Sequence, residues 1–425
     1  MTMNRATVGD TVLRNLHVPA TLLDGFSGSK AEKSGLVPVD LAIRDGRFFP
    51  AVPGKDGQDM GGRILLPGFV DMHVHIDKAY TVHRTGFSQR GLGHAVELSM
   101  SDSPNRTVDD MIERMERSLV AAEKHGTVAM RTHLDTLDAP EQSPAWIAYG
   151  EMKRAWKGRI KLQAVALMAL SRVEEEAFAH RCAQVAERGG ILGAFIDTKM
   201  ATPERLDIYL GHAMDHGLDL DLHLDETVDP DADGLGRLLE GVVRKGYQGR
   251  IVAGHCCALA QKTVTEQNAL IAKVAEAGVH VVSLPLSNGF LQDRAPHRTK
   301  RMVGLAPVQE LAAAGVNVAF ASDNVRDAFY PYGTYDMLEV QRSGTFLGQL
   351  EADPGRWIEA VTRAPALAMG LADAGCIRAG GPADGVIFEA WDWADLYSGI
   401  GLERSVFRGG RMLSAAAGFK TREHA

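Results

Sequence analysis

Cysteine is scarce in this sequence. Its 425 residues include four cysteines, at 182, 256, 257 and 376, and no CxxC pair. A disulfide framework needs more cysteines in a chain of this length, so the pattern favours a reducing compartment. Long apolar segments are also missing. No run reaches the roughly 18 residues of a membrane helix, and the N-terminal 15 residues lack the apolar stretch of a secretory signal. We therefore expect a cytoplasmic protein.

Positive charge does not dominate either. The chain has 46 Lys and Arg against 54 Asp and Glu, a formal net charge of -8. This balance creates no general attraction for nucleic acid or for an anionic membrane. We expect a small-molecule substrate as partner, no nucleic acid, no membrane, and assembly as a homo-oligomer. Hydrophobic residues make up 45% of the chain, which excludes wholesale disorder and permits a sizeable core.

Short strand-like segments occur at both ends of the sequence. Residues 18–24 and 40–49 carry them near the N-terminus, and residues 384–390 and 405–413 repeat the pattern near the C-terminus. Gly, Pro and Asp turn residues separate them. The two ends are therefore predicted to build one small sheet domain.

Between these ends, apolar β-type runs alternate with helical stretches rich in Ala, Glu and Lys, as in repeated βα units. The eight strand candidates are residues 68–75, 127–135, 160–167, 191–197, 218–226, 250–256, 279–285 and 316–323. Eight units predict an α/β fold with a closed (β/α)8 barrel. The alternative is an open doubly wound sheet, which is disfavoured because no GxGxxG turn follows an early strand.

Histidines and carboxylates lie at the ends of the predicted strands. His73 and His75 are two apart on the first strand, so both point to the same face. The others are His223 and Glu226 after the fifth strand, His255 after the sixth and Asp323 after the eighth. The carboxyl ends of barrel strands share one rim, so these residues are expected to converge. Imidazoles with a carboxylate and an open coordination position are typical of a hydrolytic Zn²⁺ or Fe²⁺ centre.

The local sequences resemble the cytosine deaminase branch of the amidohydrolase superfamily. The matching segments, which span roughly residues 64 to 340 in this order, are PGFVDMHVHIDKAYT, RTHLDT, HLDE, GHCCALA, LPLSNGFLQDR and SDNVRDAFYPYGTYDML. The resemblance implies a distorted, TIM-like barrel over residues 64–378. It also implies a small β-sandwich, whose two parts are predicted at residues 1–63 and 379–425.

The resemblance also implies roles for individual residues. His73, His75, His223 and Asp323 would bind one divalent metal ion, Zn²⁺ or Fe²⁺. Glu226 matches the proton shuttle, and His255 matches the residue that hydrogen-bonds the metal-bound hydroxide. The implied reaction is hydrolytic deamination of a cytosine-like ring, cyclic amidine or aminoazine. Hydroxide attacks the amino-bearing carbon while Glu226 and Asp323 move protons.

Two positions depart from the cytosine deaminase pattern. Asn324 stands where that branch has a second aspartate. Met168, Ala169 or Leu170 lies where it has a glutamine that contacts the pyrimidine edge, and Ala169 is predicted to contact the substrate. A site lacking a needed hydrogen-bond partner discriminates against the ring that expects one, so a different heterocycle is predicted. His133, Phe329 and Tyr330 are further predicted to contact the substrate.

Other functions use the same ligand set. The nucleophile could open a cyclic amide or remove an alkylamine from an azine ring, and a non-catalytic metal-binding relative is a third alternative. Some members of the amidohydrolase superfamily bridge two metal ions with a carbamylated lysine after strand 4, and Lys199, after the fourth predicted strand, is the candidate for this role. Its other interpretation is a rim side chain in a βα loop.

Overall fold

The computed structural model describes residues 11–26, 30–53, 56–399 and 402–414. Eight parallel strands form a barrel in which each pairs with the next along the chain. Numbered in chain order, barrel strands 1 to 8 are Phe69–Val74, Thr127–Asp135, Lys161–Leu167, Ile191–Ile196, Leu220–Leu224, Ile251–His255, His280–Ser283 and Val318–Phe320. The predicted TIM-like fold is confirmed. Residues 1–10, where a secretory signal was judged absent, lie outside the described residues.

Helices follow the barrel strands and cover their outer side. The α-helices are Val82–Thr85, Leu92–Ser101, Val108–Lys124, Pro144–Ala155, Phe178–Glu187, Pro203–Asp215, Gly234–Lys245, Val264–Glu276, Pro285–Leu291, Val308–Ala313, Met337–Gly348, Pro354–Trp357, Arg363–Ala368 and Trp393–Ser398. Short 3-10 helices occupy Ala20–Leu22, Ser103–Asn105, Leu170–Glu174, Cys257–Gln261 and Ile358–Val361. Within the described ranges, none of the helices has both the length and the apolar character needed to cross a membrane.

The helix Val108–Lys124 shows how the sequence specifies these elements. Thr107 precedes it and accepts a hydrogen bond from the backbone N–H of Asp110, which satisfies one free donor of the first turn. Met111, Met115 and Leu119 recur every four residues and are buried. Because this spacing places them on one face, the helix packs that face against the barrel and leaves its charged face in solvent.

The barrel closes between its first and last strands. Val74 pairs with Asp323 through an isolated parallel bridge, and the backbone N–H of Asp323 donates to the carbonyl of His73 at 2.8 Å. The backbone N–H of Ser322 also donates to the carboxylate of Asp71 at 3.0 Å. Closure therefore depends on the two segments that carry His73, His75 and Asp323, three of the predicted metal ligands.

Strands from both ends of the chain form a separate sheet beside the barrel. Its order is Arg411–Ser414, Arg404–Arg408, Gly385–Phe388, Ile64–Pro67, Thr11–Pro19, Leu36–Arg44 and Arg47–Pro50, with Gln58–Asp59 beside Thr11–Pro19. Leu23–Asp24 and Ile377–Arg378 form a separate parallel pair. This arrangement agrees with the predicted sandwich of both ends.

The domain boundaries at 63/64 and 378/379 stay a prediction. Ile64–Pro67 hydrogen-bonds into the small sheet and leads directly into barrel strand 1. Residues 1–10 and 415–425 of the predicted sandwich lie outside the described residues.

Candidate metal centre and active site

Three imidazoles converge at the carboxyl ends of the barrel strands. His73 lies on barrel strand 1, His75 directly follows it, and His223 lies on strand 5. The Nε2 atom of His223 is 3.2 Å from that of His73 and 3.3 Å from that of His75. All three side chains are buried. Their ligand atoms lie close enough together to hold one metal ion.

Asp323 lies beside two of these imidazoles, across the barrel seam, and is not itself part of the three-histidine group. Its Oδ1 atom is 3.2 Å from His75 Nε2 and 3.8 Å from His73 Nε2. Asp323 has a φ of 60° and follows strand 8 closely. This left-handed backbone, uncommon for a residue with a side chain, turns the carboxylate toward the imidazoles.

The residues present fit a divalent cation. Burial, reinforced by the neighbouring imidazoles, lowers the pKa of His73 and of His223 well below its usual value, so these rings are neutral and offer lone pairs. Asp323 Oδ1 has no hydrogen-bond partner in the described part of the chain, although it is buried. Neutral imidazole lone pairs and a free carboxylate oxygen facing one point are the donor set of a Zn²⁺-type or Fe²⁺-type site.

Glu226 and His255 lie beside the predicted ligands. Glu226 Oε1 is 3.5 Å from His255 Nδ1, and both side chains are almost fully enclosed. Burial, with a smaller contribution from the charge of Asp323, raises the pKa of Glu226 well above its usual value. Burial lowers the pKa of His255 to about 4. Among the described residues His255 Nε2 has no hydrogen-bond partner.

Two residues that the sequence analysis left without a role contact this group. Ser287 and Asn288 lie on the short helix after barrel strand 7. The Ser287 hydroxyl donates to Asp323 Oδ2. The Asn288 amide lies 3.3 Å from Glu226 and 3.0 Å from His255. Their signal in the sequence is a polar pair directly after the apolar run of strand 7.

His133 lies beneath the metal-ligand cluster, fully buried. Its ring stacks on His73 with centroids 3.9 Å apart, and its Nε2 atom is 3.5 Å from Asp221. Asp221 is in turn paired with Arg131 at 2.7 Å. His73, His133 and Asp221 also lie within reach of a common ion. Contact of His133 with substrate stays a prediction. In the structure the His133 ring packs against His73, which is itself a predicted metal ligand.

The other predicted substrate residues lie around the same rim. Ala169 follows barrel strand 3 and pairs with Phe195. Asn324 donates to Asp327 at 2.6 Å, and the backbone N–H groups of Phe329 and Tyr330 donate to that same carboxylate. The loop after strand 8 is therefore ordered around Asp327. Contact of these residues with substrate stays a prediction.

The two lysines differ in environment. Lys78 is buried, and its ammonium is 2.5 Å from Asp135 and 5.9 Å from the centre of the Phe329 ring. The ion-pair partner of Lys78 is thus Asp135, which ends barrel strand 2. Lys199 is exposed in the turn after strand 4.

Asp225 lies within the predicted strand at 218–226 but outside the observed one, because barrel strand 5 ends at Leu224. The Asp225 side chain is buried and accepts hydrogen bonds from the backbone N–H groups of Gly234 and Leu235 at 2.8 and 2.9 Å. It thereby anchors the start of the next helix, where the free N–H groups favour a carboxylate.

Comparison with known proteins places this architecture in a family. The Amidohydrolase family model matches residues 85–397. A pterin deaminase of Rhizobium rhizogenes is 39% identical over 410 residues, covering 95% of this chain and 93% of that protein. The N-isopropylammelide isopropyl amidohydrolase of Pseudomonas sp. (strain ADP) is 27% identical over 300 residues, covering 67% of this chain and 69% of that protein.

Solved structures show the same fold. A 5-methylcytosine deaminase from Klebsiella pneumoniae, liganded with phosphonocytosine, superimposes with a TM-score of 0.81 and 22% sequence identity. The match covers 96% of this chain and 98% of that one. The extent of the family match and the 39% identity over nearly the whole length lead to one conclusion. The chain belongs to the Amidohydrolase family.

Proposed function

We propose that this protein is a metal-dependent hydrolytic deaminase that removes an amino group from a small nitrogen heterocycle. One observation carries the proposal: three imidazoles converge on one point, with the Asp323 carboxylate 3.2 Å from His75 and the buried carboxyl group of Glu226 nearby. This arrangement combines a metal site with a group that holds and releases a proton. Hydrolytic deamination needs both.

For the substrate we propose a pterin, an amino-bearing bicyclic ring. The pterin deaminase that is 39% identical to this chain over 95% of its length supports this choice. In the reaction the oxygen of water bonds to the ring carbon that carries the amino group. The bond from that carbon to the amino nitrogen then breaks, ammonia leaves, and a ring carbonyl remains.

The residues around the site divide the proton transfers between them. A divalent ion held by His73, His75, His223 and Asp323 would lower the pKa of a water molecule and so supply the nucleophile. Glu226, with its raised pKa, gives a proton to the ring nitrogen next to the attacked carbon. Burial alone would raise the pKa of Asp323, but the neighbouring His75 and His255 imidazoles and the Ser287 hydroxyl lower it. The carboxylate is therefore ionised and can accept a proton and pass it to departing ammonia.

We propose Zn²⁺ or Fe²⁺ as the metal, because the nitrogen and oxygen ligand set suits both. Metal analysis of the purified protein distinguishes them. A metal content far below one ion per chain, even after incubation with either ion, would contradict the site. The cytoplasmic location and homo-oligomeric state stay predictions, which cell fractionation and light scattering test.

The test of function is ammonia release from pterin by the metal-loaded protein. Glu226→Gln keeps the size of the side chain but removes its proton, and we expect kcat to fall by about 10²- to 10⁴-fold. Glu240→Gln, a change at an exposed glutamate on the helix Gly234–Lys245, is the matched control and should leave kcat unchanged. Full activity in the Glu226 variant would refute the proton-carrying role.

A second candidate is removal of an alkylamine from an azine ring, which the similarity to the N-isopropylammelide hydrolase favours. The substrate panel therefore includes N-isopropylammelide and cytosine. Isopropylamine without ammonia from pterin would support this second function. Loaded protein that turns over no member of the panel would contradict both.

A further inference from the structure

The short helix Pro285–Leu291 begins between two barrel strands that carry residues of the candidate site. It follows strand 7, whose hydrogen-bonded neighbours are strand 6 and strand 8. His255 ends strand 6 and Asp323 follows strand 8, so the helix start lies between them. Successive helical residues point about 100° apart. Consecutive side chains of this helix can therefore reach groups on different strands.

Ser287 reaches toward strand 8. Its buried hydroxyl donates to Oδ2 of Asp323, while Oδ1 of the same carboxylate faces His75. A carboxylate anchored through one oxygen cannot rotate freely, so the other oxygen stays directed at the predicted metal position. Such partners of metal ligands commonly set ligand orientation and affinity.

Asn288 reaches toward strands 5 and 6. Its Nδ2 atom is 3.3 Å from Glu226 Oε1 and 3.0 Å from His255 Nδ1. An amide nitrogen has two N–H donors, which matches these two acceptors. If His255 Nδ1 accepts, the ring proton sits on Nε2, the buried nitrogen for which no partner was found in the described ranges. Asn288 would then fix His255 as a hydrogen-bond donor toward the site.

The same helix also holds the main chain of Glu226. Gln292, the residue directly after the helix, donates from its side-chain amide to the Glu226 carbonyl at 3.1 Å. This segment thus contacts His255 as well as Asp323 and Glu226, the two groups that move protons in the proposed reaction.

We infer that Ser287 and Asn288 are positioning residues for that reaction: Ser287 orients the Asp323 carboxylate, and Asn288 holds His255 with its proton on Nε2 and Glu226 beside it. This inference rests on the proposed function for its catalytic consequence. Its structural content, the orientation of a metal ligand and the tautomer of one imidazole, is measurable without substrate.

The role of Ser287 is tested by measuring the zinc affinity of variants. We expect Ser287→Ala to weaken zinc binding by about 10- to 100-fold, and Ser287→Thr, which keeps the hydroxyl, to restore most of it. The matched control is Ser283→Ala, because Ser283 is equally buried on strand 7 but its hydroxyl has no partner among the residues described. Equal effects of the two alanine changes would overturn the role of Ser287.

The role of Asn288 is tested by replacing it with alanine and with aspartate. Both Asn288→Ala and the nearly isosteric Asn288→Asp lose the donor, so we expect kcat for pterin to fall by about 100-fold with KM little changed. In the alternative orientation, the amide oxygen of Asn288 would accept a hydrogen bond from His255. An aspartate oxygen could replace it in that case. Wild-type kcat in Asn288→Asp would therefore overturn the donor assignment, and wild-type kcat in Asn288→Ala would overturn the role altogether.

A spectroscopic measurement separates this inference from the proposed function. In zinc-loaded protein labelled with ¹⁵N-histidine, the His255 signals, assigned by their loss in His255→Gln, should show a protonated Nε2 and an unprotonated Nδ1. A protonated Nδ1 would overturn the inference. If wild-type protein turns over no heterocycle, the proposed function fails, while zinc affinity and the His255 tautomer still decide the two positioning roles.

Discussion

A single carboxylate organises the loop after the eighth barrel strand. Asp327 is buried and accepts hydrogen bonds from the Asn324 amide at 2.6 Å and from the backbone N–H groups of Phe329 and Tyr330 at 2.9 and 3.0 Å. These donors favour the ionised form, but burial outweighs them and raises the pKa of Asp327 to about 6. A loop predicted to contact substrate is thus held by a group that titrates below neutrality.

This pKa predicts a pH-dependent contribution to stability. Between about pH 4 and pH 6 the folded state binds more protons at Asp327 than the unfolded state does, so the contribution falls as pH rises. Asp327→Asn removes the titration. The quantity to compare is the free energy of unfolding of wild type minus that of this variant, measured by urea denaturation. We expect this difference to decrease from pH 4 to pH 6 and to stay constant above pH 6.

The control for that experiment is Asp231→Asn, a change at an exposed aspartate. Its difference from wild type should stay small over the same pH range, because surface substitutions rarely affect stability strongly. A difference between wild type and Asp327→Asn that does not vary with pH would show that the buried carboxyl group keeps its ordinary pKa.

At the scale of elements, the barrel strands could be predicted from the sequence because strands buried on both faces appear as apolar runs. Their ends were less predictable. The run at 218–226 predicted a longer strand than Leu220–Leu224. The ladder ends there because Asp225 adopts a φ of 47° and turns its side chain to the next helix. Local composition does not reveal this change of backbone direction.

The candidate site was predictable to different degrees. His73 and His75 are two residues apart, as side chains on one face of a strand are, and the other candidate ligands lie at the ends of recognisable strands. The sequence pattern and the family resemblance together therefore predicted these residues as ligands. The roles of Ser287 and Asn288 depend on a seven-residue helix whose value is its position between strands 6 and 8. No sequence period encodes that position, because it arises from the order in which the barrel strands pair.

The helix Val264–Glu276 offers a test of local stabilisation. The Thr263 hydroxyl accepts from the backbone N–H of Glu266, and the Glu266 side chain accepts from the backbone N–H of Thr263. Thr263→Ala removes one of these bonds, and we expect the free energy of unfolding to fall by about 1 kcal/mol. Thr263→Ser should retain nearly all of it in urea denaturation. Equal losses in both variants would contradict the capping role, and kcat should not change in either.

At the scale of the whole molecule, the candidate metal ligands join distant parts of the barrel. They come from the ends of strands 1, 5 and 8, and strands 1 and 8 meet at the seam through Val74 and Asp323. An ion bound there would connect the two sides of that seam. Metal binding is therefore expected to stabilise the closed barrel and not only the site.

Removal of the metal tests this expectation. An ion present at 100 times its Kd stabilises the folded state by about 2.7 kcal/mol, so chelation should lower Tm by about 3 °C for a chain of this size. Hydrogen exchange should increase most in residues 69–74 and 318–323, and added zinc should reverse both effects. Unchanged Tm after verified metal loss, or faster exchange spread evenly over the barrel, would contradict a link between the ion and the seam.

The small sheet also has a consequence for the order of synthesis. Gly385–Phe388 lies between Ile64–Pro67 and Arg404–Arg408 in this sheet. Ile64–Pro67, which leads into the barrel, therefore pairs with a strand that is synthesised more than 300 residues later. During translation that strand has an open edge, which is a site for unwanted pairing with other chains. A ribosome that stalls before residue 385 would release a chain with this edge still uncovered, so that only a nearly full-length polypeptide can complete its own fold.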